Sequence, residues 1–351
     1  LLGLNYYVKQ SQFHVFGVTT IIIALITYCM APIVATQPSW FYVMVVVTVL
    51  LLTELKHTFT EFAQRMKNDE MITLAKFLAI SGIILPMLPH KNLIPDVNLT
   101  PYSIWLATVV VSGISYLSYL LKRYVFHESG TLVSGIIGGL YSSTATISVL
   151  ARKSRKASEQ EATDYVAAML LAISMMFLRF MILILIFSRE IFLSIYPYLL
   201  TMAVVAAIVA WFIHSRQKRS NDQPVEEEED DSSNPLEFKV ALIFAVLFVI
   251  FTFLTHYTLV YAGTGGLNLL SFVSGFSDIT PFILNLLQNT GSVAALIITA
   301  CSMQAIISNI MVNMFYALFF AGKGSKLRPW ILGGFGVVIA CNLVLLLFFY
   351  I

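Results

Sequence analysis

Nine apolar runs constrain this chain more than any other feature, because a segment inside a bilayer must satisfy its own backbone groups, as a helix does. We predict spanning helices at residues 13–35, 40–53, 71–88, 101–121, 164–187, 191–212, 238–261, 293–320 and 330–350. Only 11% of the residues are charged, against about 25% in a soluble domain. The sequence therefore predicts an all-α integral membrane protein, with an in-plane amphipathic helix at residues 55–69.

Two further apolar stretches are interrupted by small and polar residues. In residues 127–156, Gly138 and Gly139 leave the backbone free to turn, and they precede a run of Ser and Thr that is typical of a helix N-terminus. Residues 263–287 carry a similar interruption. We interpret each stretch as two half-helices that enter and leave on one side of the membrane, a re-entrant hairpin of the kind that forms sites in transporters. The alternative for residues 127–156 is an ordinary spanning helix with small residues for packing.

An internal repeat relates the two interrupted stretches. The segment 139–144 aligns without a gap on 275–280, an offset of 136 residues that Asn98 and Asn234 also keep. We further align Ser174 and Arg179 with Ser308 and Asn313, at an offset of 134. The predicted domains are 1–97, membrane helices with the interfacial helix; 98–213, membrane repeat A; 214–233, a charged cytoplasmic linker; and 234–351, membrane repeat B.

The positions of the basic residues favour re-entrant hairpins. If both interrupted stretches cross the membrane, the Lys and Arg residues divide almost evenly between the two sides. If both are re-entrant, only Lys91 and Arg189 lie opposite the rest of the 21 Lys and Arg residues, apart from the intramembrane Arg179. The positive-inside rule supports the second arrangement and places the basic side in the cytoplasm. With three spans and one hairpin in each repeat, repeat B is predicted to be inverted.

Polar side chains at the two interruptions and deep in the spans form the candidate site. The predicted site residues are Ser142, Ser143, Thr144, Arg179, Ser277, Asp278, Thr280 and Asn313. Asp278 favours a dehydrated cation, whereas Arg179 and the N-termini of the half-helices suit an anion. Arg179 and Asp278 could instead form a structural ion pair, which we favour slightly. We see no catalytic constellation and no metal-ligand spacing, and we expect neither an enzyme nor a cofactor.

The motifs L-Y-S-S-T-A-T, A-R-K-S-R-K, M-M-F-L-R, N-P-L-E, G-F-S-D-I-T and S-N-I-M-V-N together resemble the C-terminal module of MgtC/SapB-related bacterial membrane proteins. The resemblance starts near Trp40, and residues 1–35 look like the end of an MgtC-like region. It implies a multi-pass protein of the bacterial inner membrane and a link to magnesium physiology. One departure is Asn313, where these proteins often have Lys.

We therefore expect an inner-membrane ion transporter or channel, preferring a cation, whose site forms where the two tips meet. The alternatives are a membrane-embedded regulator or scaffold without transport activity, and a transporter of an anion or a lipid-linked substrate. The expected partners are the lipid bilayer and a small inorganic ion, with homo-oligomers left open and nucleic acid not expected. Because residues 1–7 resemble the tail of an apolar segment, we also expect a membrane region before them.

Overall fold

The computed structural model describes residues 19–38, 41–51, 68–94, 97, 99–126, 130–155, 159–216, 238–288, 294–322 and 327–350. The chain forms two compact units, residues 1–72 and 73–351. The first unit contains helix α1, Thr19–Thr36, and helix α2, Phe41–Leu51. Helix α3, Asn68–Ala79, continues through a π-helical turn, Ile80–Ile84, to a last turn at Leu85–Met87. Most of the predicted in-plane helix, 55–69, lies outside the described residues.

The second unit contains the long helices that the apolar runs predict. They are α4, Pro101–Leu120, which ends in a π-helical turn, Leu121–Val125; α5, Thr131–Lys153; α6, Glu159–Phe187; α7, Arg189–Ser215; α8, Phe238–Ser274; α9, Ile279–Gln288; α10, Ala295–Ala321; and α11, Arg328–Tyr350. Within the described residues there is no β-strand beyond one isolated bridge, Ile94 with Val97.

Eight helices in the described part of the chain are long and apolar enough to cross a membrane, which confirms a multi-pass α-helical protein. The count differs from the nine predicted spans for two reasons. Length and composition alone include α5, which we predicted to be a hairpin. The apolar parts of α1 and α2, Ala24–Thr36 and Phe41–Leu51, are described only as shorter helices.

Helix α5 is broken in the middle at Ser142, whose backbone is extended with φ −159° and ψ 108°. A Cβ atom on Gly138 would lie 2.5 Å from Thr146 Oγ1. In a continuous helix two residues eight positions apart are separated by about 12 Å along the axis. The chain therefore folds back at Ser142, and the two halves of α5 lie side by side. We call Thr131–Lys153 broken helix A and residues 141–144 its tip.

Helix α8 is broken at Gly263, which has φ +59° and ψ −152°, a conformation that glycine adopts readily. A Cβ atom on Gly266 would lie 2.8 Å from Thr258 Cγ2, again across eight positions, so the chain also folds back here. A turn at residues 275–278 then separates residues 264–274 from α9. We call residues 264–288 broken helix B and residues 275–278 its tip.

The two broken helices pack on the following long helix in the same register. A Cβ atom on Gly139 would lie 2.5 Å from Ala172 Cα, and one on Gly275 would lie 2.8 Å from Asn309 N and also touch Ser308. One turn earlier, Gly135 lies against Ala168, and Ser271 Oγ donates a hydrogen bond to Gln304 Oε1 at 2.7 Å. Residues 135 and 139 map onto 271 and 275 at the predicted offset of 136. In both copies the first half of the broken helix runs parallel to the long helix, and contacting residues are 33 positions apart.

The predicted alignment of Ser174 with Ser308, at an offset of 134, is not matched by equivalent contacts in the structure. Ser174 donates a hydrogen bond to Ala203 O on α7 at 2.8 Å, whereas Ser308 donates to Phe272 O in broken helix B at 2.7 Å. The two serines therefore face different neighbours. The register of 136 instead pairs Ser308 with Ala172, the residue that contacts Gly139.

Buried polar side chains tie the long helices to one another. Tyr198 on α7 donates a hydrogen bond to Asn342 on α11, and Asn285 on α9 donates to Thr252 on the first half of α8 at 2.6 Å. Such bonds join helices that have no hydrophobic drive to associate in lipid. Of the eight helices that could cross a membrane, α10 is the most deeply buried: 72% of its apolar segment lies inside the protein. It forms the wall against which broken helix B is held.

Candidate functional site

The tips of both broken helices line one cavity of about 430 Å³. Helices α4, α6 and α10 and the first half of α8 complete its wall. Their lining residues are Val111, Ser112, Ser115, Met176, Arg179, Phe180, Ile243, Phe244, Leu247, Asn309, Val312 and Tyr316. The structure thus brings together the two segments that the internal repeat pairs in the sequence.

The tip of broken helix A ends one half-helix and begins another. Ser142 Oγ accepts a hydrogen bond from Ala145 N at 3.3 Å, so Ser142 is the N-cap of the second half. Ser143 is buried and Thr144 is half-buried, and both line the cavity. The N-terminus of the half-helix 143–153 therefore lies at the cavity wall, where its first backbone N–H groups have no partner within the helix.

The tip of broken helix B repeats this arrangement with an acidic cap. Asp278 Oδ1 accepts a hydrogen bond from Thr280 N at 2.9 Å at the start of α9. Asp278 and Ser277 are exposed and line the cavity, and Thr280 is buried beside them. Ser277 Oγ donates to Ser274 O at 3.1 Å. The cavity is thus lined by the N-termini of two half-helices, one from predicted repeat A and one from predicted repeat B.

The carbonyls that each break releases are held by side chains of the long helices. Arg179 Nη1 on α6 donates to Tyr141 O at 2.8 Å, and Asn309 Nδ2 on α10 donates to Gly275 O at 3.2 Å. A backbone carbonyl at membrane depth needs such a partner. Arg179 also places its positive charge at the C-terminus of the first half of broken helix A, where the helix dipole favours it.

The Arg179 guanidinium has hydrogen-bonding capacity that the protein does not use. Its Nε atom is buried and has no hydrogen-bond partner among the described residues. A buried donor left unpaired costs about 1–3 kcal/mol, and more when it is charged. The cavity that Arg179 lines is the place where a ligand would supply the missing acceptor.

Arg179 and Asp278 are the ionised side chains among the described residues that line the cavity. Their charges interact electrostatically. No salt bridge joins the two side chains in the described part of the chain. The direct pairing that we favoured from the sequence is thus replaced by Arg179 bound to Tyr141 O and Asp278 bound to Thr280 N.

All the predicted site residues except Asn313 line the cavity. Asn313 is buried, donates to Asn309 Oδ1 at 3.0 Å, and lies outside the lining. The predicted site did not include Ser112 and Ser115 of α4, Tyr141 or Asn309, although all four line the cavity. The spacing of Ser112 and Ser115, three residues apart on one helix face, was the available signal.

The described residues contain no group of three or more His, Cys, Asp or Glu side chains that could hold a metal ion. Fold and cavity together define a class: a multi-pass α-helical membrane protein with a cavity between two broken helices. Residues 109–321, more than half of the chain, match the family described as Domain of unknown function (DUF4010). The chain belongs to that family.

A relative from Aquifex aeolicus (strain VF5), described as an uncharacterized protein, is 25% identical over 224 residues. The match covers 63% of this chain and 96% of that protein. No solved structure matches the chain. These comparisons contain no link to MgtC/SapB-related proteins, so that resemblance stays a prediction.

Proposed function

We propose that this protein is a transporter or channel for a small ion, which binds in the cavity between the tips of broken helices A and B. The observation that carries the proposal is the convergence of both tips and of Arg179 on one cavity. Broken helices that meet at a central cavity are the usual form of binding sites in secondary transporters. The hydroxyls, backbone N–H groups and two charges of the wall would replace the hydration shell of an ion.

We also propose that both broken helices are re-entrant hairpins in an inverted repeat. The parallel register of residues 135 and 139 with 168 and 172 supports this topology, since a spanning α5 would run antiparallel to α6. Arg155, just after α5, donates hydrogen bonds to Phe320 O and to Phe319 O, the latter at 3.2 Å, at the end of α10. If broken helix B is re-entrant, four spans separate Arg155 from the end of α10 and both lie on the same side of the membrane; if broken helix B spans, they lie on opposite sides. The contact therefore supports the re-entrant topology of broken helix B.

The lining of the cavity can be compared with what a regulator without transport activity and a transporter of a lipid-linked substrate would each require. A regulator without transport activity should have its tips sealed by apolar side chains, but here Ser142, Asp278 and Arg179 line a shared space. The lipid-linked alternative needs the cavity, which α4, α6, α8 and α10 line, to open sideways to lipid. We keep as proposals the relation to MgtC/SapB-related proteins, the bacterial inner membrane, and the absence of an enzymatic activity and of a cofactor.

The test is ion flux in liposomes that contain the purified full chain, across K⁺, Na⁺, Mg²⁺, chloride, phosphate and sulfate. We expect at least one ion to move faster than in protein-free liposomes. Ser112→Phe, which fills the cavity from α4, should reduce that flux. Ser194→Phe is the matched control, because Ser194 on α7 is exposed and does not line the cavity. A protein that moves none of these ions, or that moves them equally well with Ser112→Phe, contradicts the proposal.

A further inference from the structure

We infer that the ligand of the cavity is an anion with an oxyanion group, such as a carboxylate, phosphate or sulfate, and that Arg179 binds it through two parallel hydrogen bonds. This inference rests on the proposed function and names the substrate class of the same site. It reverses the cation preference that Asp278 alone suggested.

The first argument is the free edge of the Arg179 guanidinium. Nη1 is occupied by Tyr141 O. Nε is buried without a partner, and no hydrogen bond from Nη2 occurs among the described residues. Nε and Nη2 point their N–H groups to the same side of a guanidinium, which is the two-pronged edge that matches the two oxygens of a carboxylate or phosphate. The protein thus fixes the guanidinium through Nη1, and the edge formed by Nε and Nη2 is left for a ligand.

The second argument is the pair of half-helix N-termini. The half-helix 143–153 and α9 both begin at the cavity wall, one from each repeat. A helix N-terminus carries about +0.5 of an elementary charge and presents unpaired N–H groups, so it attracts anions. Two such termini lie at the cavity that Arg179 lines, while the C-terminal carbonyls of the two first half-helices, Tyr141 O and Gly275 O, already accept from Arg179 and Asn309.

The third argument is that several of the oxygens a dehydrated cation would need already accept hydrogen bonds. The free carbonyls of the tips, Tyr141 O and Gly275 O, accept from Arg179 and Asn309. One oxygen of Asp278 accepts from Thr280 N. Arg179 and Asp278 bring opposite charges to the cavity, and the first N–H groups of the two second half-helices add donors at its wall. The remaining hydroxyls of Ser143 and Thr144 can donate to an anion as well as accept.

The cavity volume limits the size of this anion. About 430 Å³ falls in the lower part of the range of roughly 300–1,000 Å³ that is usual for small-molecule sites. That volume admits an inorganic oxyanion with some of its water, or a small organic acid. Both share the chemistry that Arg179 recognises, and the test separates them.

The test measures thermal unfolding of the purified full chain by intrinsic tryptophan fluorescence while an oxyanion replaces chloride at constant ionic strength. Phosphate and sulfate form the inorganic arm, succinate forms the organic arm, and K⁺ and Mg²⁺ chlorides form the cation arm. We expect one oxyanion arm to raise the unfolding temperature with a saturable dose dependence. Arg179→Lys keeps the charge but loses the bidentate edge, and it should weaken the apparent affinity by about tenfold or more. Arg189→Lys, at the exposed start of α7, is the matched control and should leave it unchanged.

Asp278→Asn separates the two signs of ion. It keeps a capping oxygen for Thr280 N and removes the negative charge, so the oxyanion affinity should be kept or increased. This comparison also holds if Arg179→Lys does not fold. A cation response that disappears in Asp278→Asn, with no oxyanion response, overturns this inference but leaves ion transport standing. An unfolding temperature that stays constant or falls as oxyanions replace chloride overturns it too. No flux of any ion overturns the proposed function itself.

Discussion

Gly139 is the most direct place to test how broken helix A is held. In Gly139→Ala the new Cβ atom would lie 2.5 Å from Ala172 Cα, 2.7 Å from Ala172 O and 3.0 Å from Ala172 C. Carbon atoms in contact normally keep about 3.5–4.0 Å. All three atoms belong to the backbone of α6, which cannot rotate away as a side chain can. The helix must therefore move by about 1 Å away from α6.

The expected cost is that of overpacking, about 1–3 kcal/mol in the free energy of unfolding. Gly333→Ala is the matched control, because nothing lies within 4 Å of a Cβ atom at Gly333 in α11. Both changes gain the same helix propensity of alanine over glycine, about 1 kcal/mol, so it cancels in the difference. Gly275→Ala should behave like Gly139→Ala, since its Cβ atom would lie 2.8 Å from Asn309 N.

The assay is reversible unfolding in mixed micelles by titration with a denaturing detergent, followed by circular dichroism. The difference between Gly139→Ala and Gly333→Ala should be about 1–3 kcal/mol. Flux should also fall in Gly139→Ala, because the tip moves away from Arg179, which binds Tyr141 O. Equal stability of the two variants would refute the close packing of broken helix A on α6.

Three further predictions concern topology, capping and the end of α10. Ser129→Cys and Lys156→Cys, in a background without the three native cysteines, should both react with a reagent on the cytoplasmic side; reaction from opposite sides contradicts the re-entrant topology. Asp278→Ala should lower stability by about 0.5–2 kcal/mol through loss of a cap, and Asp278→Asn much less, as thermal or detergent unfolding would show; equal losses contradict the capping role. Arg155→Ala should lower the free energy of unfolding by about 1–3 kcal/mol, because two carbonyls at the end of α10 lose a charged donor, while Lys153→Ala should have little effect; the reverse order would count against that contact.

The existence of the long helices was predictable because each has an apolar run that only membrane or core burial explains. The predicted run 164–187 lies inside α6, Glu159–Phe187, and the run 191–212 lies inside α7, Arg189–Ser215. The ends were less predictable. Helix α6 starts five residues earlier than its apolar run, through the polar residues Glu159–Thr163, and polarity alone cannot distinguish a first helical turn from a loop.

The break in α5 was predicted, but the glycines serve another purpose there. We expected Gly138 and Gly139 to free the backbone, whereas the non-helical residue is Ser142. Gly138 and Gly139 are instead small because Thr146 and Ala172 lie where their side chains would be. A sequence shows that a glycine is present, and only its neighbours in space show whether it permits a turn or a close approach. At Gly263, with φ +59°, the glycine does permit the turn.

The charged residues of the site were found from the sequence, since a carboxylate or guanidinium in an apolar segment is costly and rare. Their partners were not. Arg179 binds a backbone carbonyl and Asp278 a backbone N–H group, and neither partner leaves any mark on residue type. Ser112 and Ser115 were missed for a related reason: small polar residues in a membrane helix serve packing as readily as binding.

The two broken helices reach the same geometry with different chemistry, and this makes the site asymmetric. Broken helix A lies on α6 through Gly135 and Gly139 against alanine backbone, with no polar side chain in either contact. At the same register broken helix B uses a hydrogen bond from Ser271 to Gln304 and the contact of Gly275 with Ser308. The shared register presents two helix N-termini to one cavity, but Arg179 comes from repeat A and Asp278 from repeat B. A ligand held by both termini would therefore still meet one basic and one acidic wall, and its orientation would be set by the charges that the repeats do not share.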